Sequence, residues 1–136
     1  RDAYGYEKYG ASETIRVEAL SSKWLDRISM QYADTYSDYV SYELEKDEEV
    51  VSSGTVLFAP PKHFHFVDPK LSVEVVGEQE LLVTAKAYAK SIEIINGDDS
   101  MLLEDNYFDM NPGTRKIRVL KGKPENLKIR SVFDIR

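Results

Sequence analysis

Between residues 81 and 94 the apolar positions change parity. Leu81, Val83 and Ala85 fall on odd numbers, whereas Ile92 and Ile94 fall on even ones. Side chains of a strand alternate between two faces, so one continuous strand would send these two sets to opposite sides. The chain must therefore break or bulge near Ala87-Tyr88-Ala89-Lys90 and change partners. Alternation recurs on both sides of this break. Leu71, Val73 and Val75 form one run, Ile117 and Val119 flank Arg118 in another, and Leu127 to Phe133 makes the last. Gly77, Gly97, Gly113 and Gly122 punctuate the runs. From residue 62 onward this predicts about seven short strands, the pattern of an all-β, immunoglobulin-like antiparallel sandwich. The Cys…Trp…Cys marker of antibody domains is missing.

Ahead of this region the pattern is sparser. Residues 1–12 carry Tyr4, Tyr6 and Tyr9 without a period and read as loop. Ile15 and Val17 predict a short strand over 13–20. Ser21-Ser22 can cap one short helical turn through Trp24, Leu25 and Ile28. Val40, Tyr42 and Leu44 alternate with Ser41, Glu43 and Glu45, a half-buried strand. The polar connection 46–49 leads to a second strand over 50–58, with Gly54 as a possible bulge, so the pair reads as a hairpin. Ala59-Pro60-Pro61 ends it, since two prolines cannot donate to a ladder and favour extended polyproline geometry. The expected division is 1–58, the closing strands of one sandwich, and 59–136, a complete one.

Composition removes several function classes. The chain has 136 residues, 42% hydrophobic and 31% charged, as in a globular protein. No apolar run approaches the roughly 20 residues of a membrane-spanning helix. There is no cysteine and no Asn-x-Ser/Thr sequon, which fits a cytoplasmic protein. Residues 1–58 hold 6 Lys/Arg against 12 Asp/Glu and account for the net charge of −6. The basic end, Arg115 to Arg136, alternates with Ile117, Val119, Leu127, Ile129 and Val132. That is the solvated face of strands and not a nucleic-acid footprint.

Site candidates are few. His63 and His65 share a face but lack a third ligand at metal spacing. The turn 96–99 lacks the ligand alternation of a calcium loop. Neither a metal nor a cofactor is expected. Glu104, Asp105 and Asp109 cluster where paired-carboxylate glycosidase chemistry would need two acids about 5–5.5 Å apart. They read instead as corner residues bonding backbone N–H groups. In the same stretch Phe108 and Met110 alternate with Tyr107 and Asp109. Pro112-Gly113 supplies a turn of type II, with positive φ at Gly113. Tyr107 is expected to bury its ring and send its hydroxyl to a carbonyl, as in a tyrosine corner. Nine tyrosines and Trp24 leave open a carbohydrate-binding role, because aromatic faces stack on sugars.

The run Asp105-Asn106-Tyr107-Phe108-Asp109-Met110-Asn111-Pro112-Gly113 resembles a motif in the last domain of β-mannosidases of glycoside hydrolase family two. There it reads Leu-Ser-Asp-Asn-Tyr-Phe-Asp-Leu-x-Pro-Gly; here Glu104 replaces the Ser and Met110 the Leu. Phe58-Ala59-Pro60-Pro61-Lys62 is similar to the family's Phe-x-Pro-Pro-Lys link between its fourth and fifth domains. Asp68-Pro69, Ala87-Tyr88-Ala89 and Ile92 also fall where members carry similar residues. The resemblance runs from about residue 13 to the end. It implies a C-terminal piece of a retaining enzyme that removes terminal non-reducing β-mannose with two glutamates on a (β/α)8 barrel. Such a barrel takes on the order of 200–250 residues, so no catalytic residue is carried over. The implied role is that of a non-catalytic accessory domain packing against sister domains. An independent carbohydrate-binding module is the alternative. If strands of the first sandwich lie upstream, the chain is expected to self-associate as a homodimer.

Overall fold

The computed structural model describes residues 1–98 and 100–135. Asp99 of the expected 96–99 turn and Arg136 of the basic end lie outside the described residues.

Two sheets form the body of the molecule. β3 (Ser72–Gly77), β4 (Glu80–Ala85), β8 (Gly113–Lys121) and β6 (Leu102–Leu103) lie side by side in that order. β5 (Ala89–Ile95) runs between β7 (Phe108–Met110) and β9 (Lys128–Arg130) in the second sheet. All pairings are antiparallel. The facing sides supply one core. Leu81, Val83, Ala85, Leu103, Ile117 and Val119 come from the first sheet, and Ala89, Ile92, Ile94, Phe108 and Met110 from the second. This is an all-β immunoglobulin-like sandwich.

The parity change is resolved as its position requires. β4 pairs with β8, the chain crosses at 86–88, and β5 pairs with β7 and β9. A bulge then falls between Ala89 and Ile92, with Ser91 at φ 51°. One extra residue returns the even-numbered Ile92 and Ile94 to the core side on which odd-numbered Ala89 started.

A separate two-stranded ribbon, β1 (Tyr39–Lys46) and β2 (Glu49–Leu57), confirms the hairpin. Asp47 and Glu48, both at positive φ, make its two-residue turn, the backbone that matches the twist of the flanking strands. The irregularity lies between Leu44 and Glu45, not at Gly54, which pairs regularly with Tyr42. Only the base of the ribbon is covered. Tyr39 joins Ala3, Phe64, Phe66 and Tyr88 in a second apolar cluster. The Tyr39 and Tyr88 rings stack at 3.8 Å with an 18° tilt, a geometry that adds about 0.5–1.5 kcal/mol beyond burial.

Several expectations are corrected. Residues 13–20 form no strand and 22–28 no helical turn. Trp24 is 96% exposed, and the Ser21 N–H and hydroxyl both bond the Glu18 carbonyl, closing a turn instead of capping a helix. A lone strand has no ladder partner, and an isolated helical turn cannot meet the cost of nucleation. Pro60 keeps polyproline geometry, but Pro61 opens a 3-10 turn, Pro61–His63, its ring suited to a first helical position. The last strand stops at Arg130. Among the described residues the one short α-helix is α1 (Val132–Ile135), where Asp134 accepts the Ser131 N–H at 2.7 Å. The Ser-x-x-Asp spacing of a capping box was the signal for it. No helix among the described residues is long and apolar enough to cross a membrane.

Candidate functional site at the sandwich corner

The corner stretch divides its work by parity. Phe108 and Met110 point into the core, and the Arg115 guanidinium lies 4.3 Å over the outer side of the Phe108 ring. The polar residues before and between them tie other elements down. Asn106 accepts the Ile94 N–H at 2.9 Å and donates to the Ile94 carbonyl at 3.0 Å, so one side-chain amide stands in for a ladder partner. Asp105 pairs with Arg115 at 2.6 Å. Asp109 receives the Ser91 N–H on Oδ1 at 2.8 Å, which holds the β5 bulge. Its Oδ2 receives Lys90 Nζ at 2.9 Å and the Thr55 hydroxyl, with Tyr88 Oη at 3.5 Å.

Tyr107 departs from the expectation. Its ring is 63% exposed and its backbone left-handed, at φ 62°. The hydroxyl donates to Glu93 Oε1 at 2.7 Å, not to a buried carbonyl. The tyrosine-corner reading is therefore wrong: with its backbone left-handed beside the buried Phe108, Tyr107 carries its side chain outward. Gly113 does have positive φ, but at 141° and already paired with Ala85 in β8. That lies well beyond the roughly 80° of a type II turn, and the chain passes from β7 to β8 through a bend at Pro112. Pro112 carries the N-terminal turn: Gly5, at φ 90°, lies so close that a Cβ there would strike the proline ring.

Phe58, Pro60, Pro61 and Lys62 are exposed. They connect ribbon to sandwich, and Ala59 and Phe64 supply the buried side chains around them. His63 ends the 3-10 turn, and His65 stands beside the Tyr36 ring with its N–H bonded to the Tyr36 carbonyl. They do not share a strand face. Among the described residues no three His, Cys, Asp or Glu stand close enough to hold a metal ion.

Between the inner face of the ribbon and the corner runs an open groove of about 1020 Å³, lined by Ser41, Glu43, Thr55, Lys90, Asp105 and Tyr107 among others. Two of its carboxylates, Asp105 and Asp109, each hold a cation, Arg115 and Lys90 respectively. Outside the groove, several carboxyls are held below their ordinary range. Arg130 and then Tyr107 hold Glu93 low. Ser100 does so for Asp98, and Lys70 for Asp68. At the ribbon base, burial alone would raise Asp38. The Lys8 ammonium at 2.5 Å and the Asp34 N–H at 2.8 Å outweigh it and leave the carboxyl lowered. Burial raises the Tyr39 and Tyr88 hydroxyls, keeping both neutral as donors.

Sequence reasoning missed Tyr39, Thr55, Lys90 and Asn111 as parts of this corner. Tyr39 Oη donates to Asn111 Oδ1 at 2.6 Å across 72 residues of chain. Only Asn111 lay within the stretch already singled out, and no local signal marks Thr55.

The family model described as Mannosidase Ig/CBM-like domain matches residues 2–63. The mannosidase model described as Ig-fold domain matches residues 66–135. No curated protein matches the chain.

Proposed function

Because the chain belongs to the Ig-fold domain family of mannosidases, whose Ig-like domains are accessory parts of those enzymes, we propose that it is a non-catalytic segment of a β-mannosidase acting in interdomain packing. The parent would hydrolyse terminal non-reducing β-mannose. The observation that carries this reading is the ribbon. Thr55 and Leu57 face the sandwich, so alternation turns Val40, Tyr42, Leu44 and Val56 the other way. Tyr42, Leu44 and Val56 are each about half exposed. An amphipathic ribbon fixed at its base and bare along its apolar side is a surface for a neighbouring domain. Purified alone, the chain would pair two such faces in a symmetric dimer, read by light scattering over a concentration series. The purified 136-residue chain should not turn over a chromogenic β-mannoside. Turnover that survives removal of contaminating enzyme overturns the proposal.

A second reading is favoured by one feature, the exposed Tyr107 ring beside a hydroxyl-rich groove. A carbohydrate-binding module would use that ring as a stacking platform. Calorimetric titration with manno-oligosaccharides separates the two: saturable heat with a defined stoichiometry supports binding, and dilution heat alone supports packing.

A further inference from the structure

The ribbon meets the sandwich through an unusual concentration of polar contacts on one carboxylate. Asp109 lies at the floor of the groove with its side chain 16% exposed. Two of its donors, Lys90 and Ser91, belong to the sandwich; a third, Thr55, belongs to the ribbon. Tyr88 Oη bridges them, 2.6 Å from Thr55 Oγ1. Two residues further along the corner, Asn111 takes the hydroxyl of Tyr39 on the opposite ribbon strand. Tyr39 and Leu57 are register partners at the ribbon base, and Thr55 sits one pleat further out. The corner thus grips both ribbon strands at two points about 7 Å apart along the strand direction.

We propose that Asp109 and Asn111 form a latch that fixes the direction in which the ribbon leaves the sandwich. The apolar cluster around Tyr88 attaches the ribbon base but is non-directional, and Arg1 of the N-terminal segment bonds the Tyr39 backbone and the Ser41 hydroxyl on one strand alone. The two corner hydrogen bonds tie both strands directly to the sandwich and so select one orientation, because donor and acceptor must align. Polar positions 109 and 111 of the corner therefore serve orientation, while apolar 108 and 110 serve the core. This inference rests on the packing reading only in giving the latch a use, which is to set the angle of the module ahead of the Ig-fold. The latch itself is a property of this chain.

The ribbon-side partners test it, because Asp109 also holds the β5 bulge and its replacement risks the fold. Thr55→Val and Tyr39→Phe each remove one hydroxyl and leave the tyrosine stack. The chain has no cysteine, so Glu48→Cys at the ribbon tip and Lys123→Cys on the sandwich accept a spin-label pair. The parent background should give one narrow distance distribution. Each variant should broaden it, and Thr55→Val with Tyr39→Phe should broaden it most. Amides over 40–56 should exchange several-fold faster while those of β4, β5 and β8 keep their protection. Distributions in the double variant as narrow as in the parent overturn the latch, as does equal acceleration of exchange in ribbon and sandwich. Mannoside turnover, which would sink the packing reading, leaves this result untouched.

Discussion

The ribbon and the sandwich carry the same sequence pattern and meet different fates. Val40, Tyr42 and Leu44 alternate as regularly as Leu81, Val83 and Ala85. The second set is fully buried; in the first, Tyr42 and Leu44 remain half exposed. The difference lies in what faces them. β4 has neighbours on both edges and a second sheet across the core, whereas β1 has β2 along its length and Arg1 only at its first residue, Tyr39. Alternation specifies which face of a strand is apolar, and only a second layer turns that face into stability.

The largest effect should come from the sandwich core. Ile92→Ala, at a residue with no exposure, should cost about 2–5 kcal/mol. Leu44→Ala, at 48% exposure on the ribbon, should shift the urea midpoint barely at all at concentrations low enough to keep the chain monomeric. Equal losses would mean that the ribbon's outer face is covered in solution. The next contrast lies within the corner. Asn106→Ala leaves both backbone groups of Ile94 unpaired and should cost about 1–3 kcal/mol. Tyr107→Phe, losing a hydroxyl bonded to a partly exposed carboxylate, should hardly move the melt. The reverse order would restore the tyrosine corner.

Gly113→Ala comes third. A Cβ there meets nothing within 4 Å, so the cost is conformational, about 1 kcal/mol. An unchanged midpoint would show that the β7–β8 passage relaxes to negative φ. The smallest effect is acid loosening at the ribbon base. The folded Asp38 carboxyl titrates below its unfolded value, held there by Lys8 and Asp34 against its burial. Its contribution is complete above the unfolded value of about 3.9 and disappears as pH falls through the lower folded value. Exchange at the 1–3 and 38–40 amides should rise below about pH 4 before the β5 and β8 amides respond. In Asp38→Asn this early acid step should vanish.

Much of the sandwich was legible in the chain. The parity change between Ala85 and Ile92 placed the crossing and the bulge, and the corner run was marked by its own alternation. Parts of the candidate site were not legible. Thr55 and Asp109 are 54 residues apart and Tyr39 and Asn111 are 72 apart, and nothing local announces such partners. Ile15, Val17, Trp24, Leu25 and Ile28 carried periodicity without structure, because periodicity states a preference that a partner must satisfy.

By itself, then, the sequence determined which side chains share a face, where the strands turn, and where one sheet must give way to the other. These follow from the two-residue repeat of a strand and from the φ values that Gly and Pro allow. Tertiary structure alone decided that Tyr107 turns outward, that Asp109 gathers donors from two separate segments, and that the ribbon is buried only at its base. Those outcomes depend on which distant surfaces meet, since a hydrogen bond or a buried face exists only when its other half arrives.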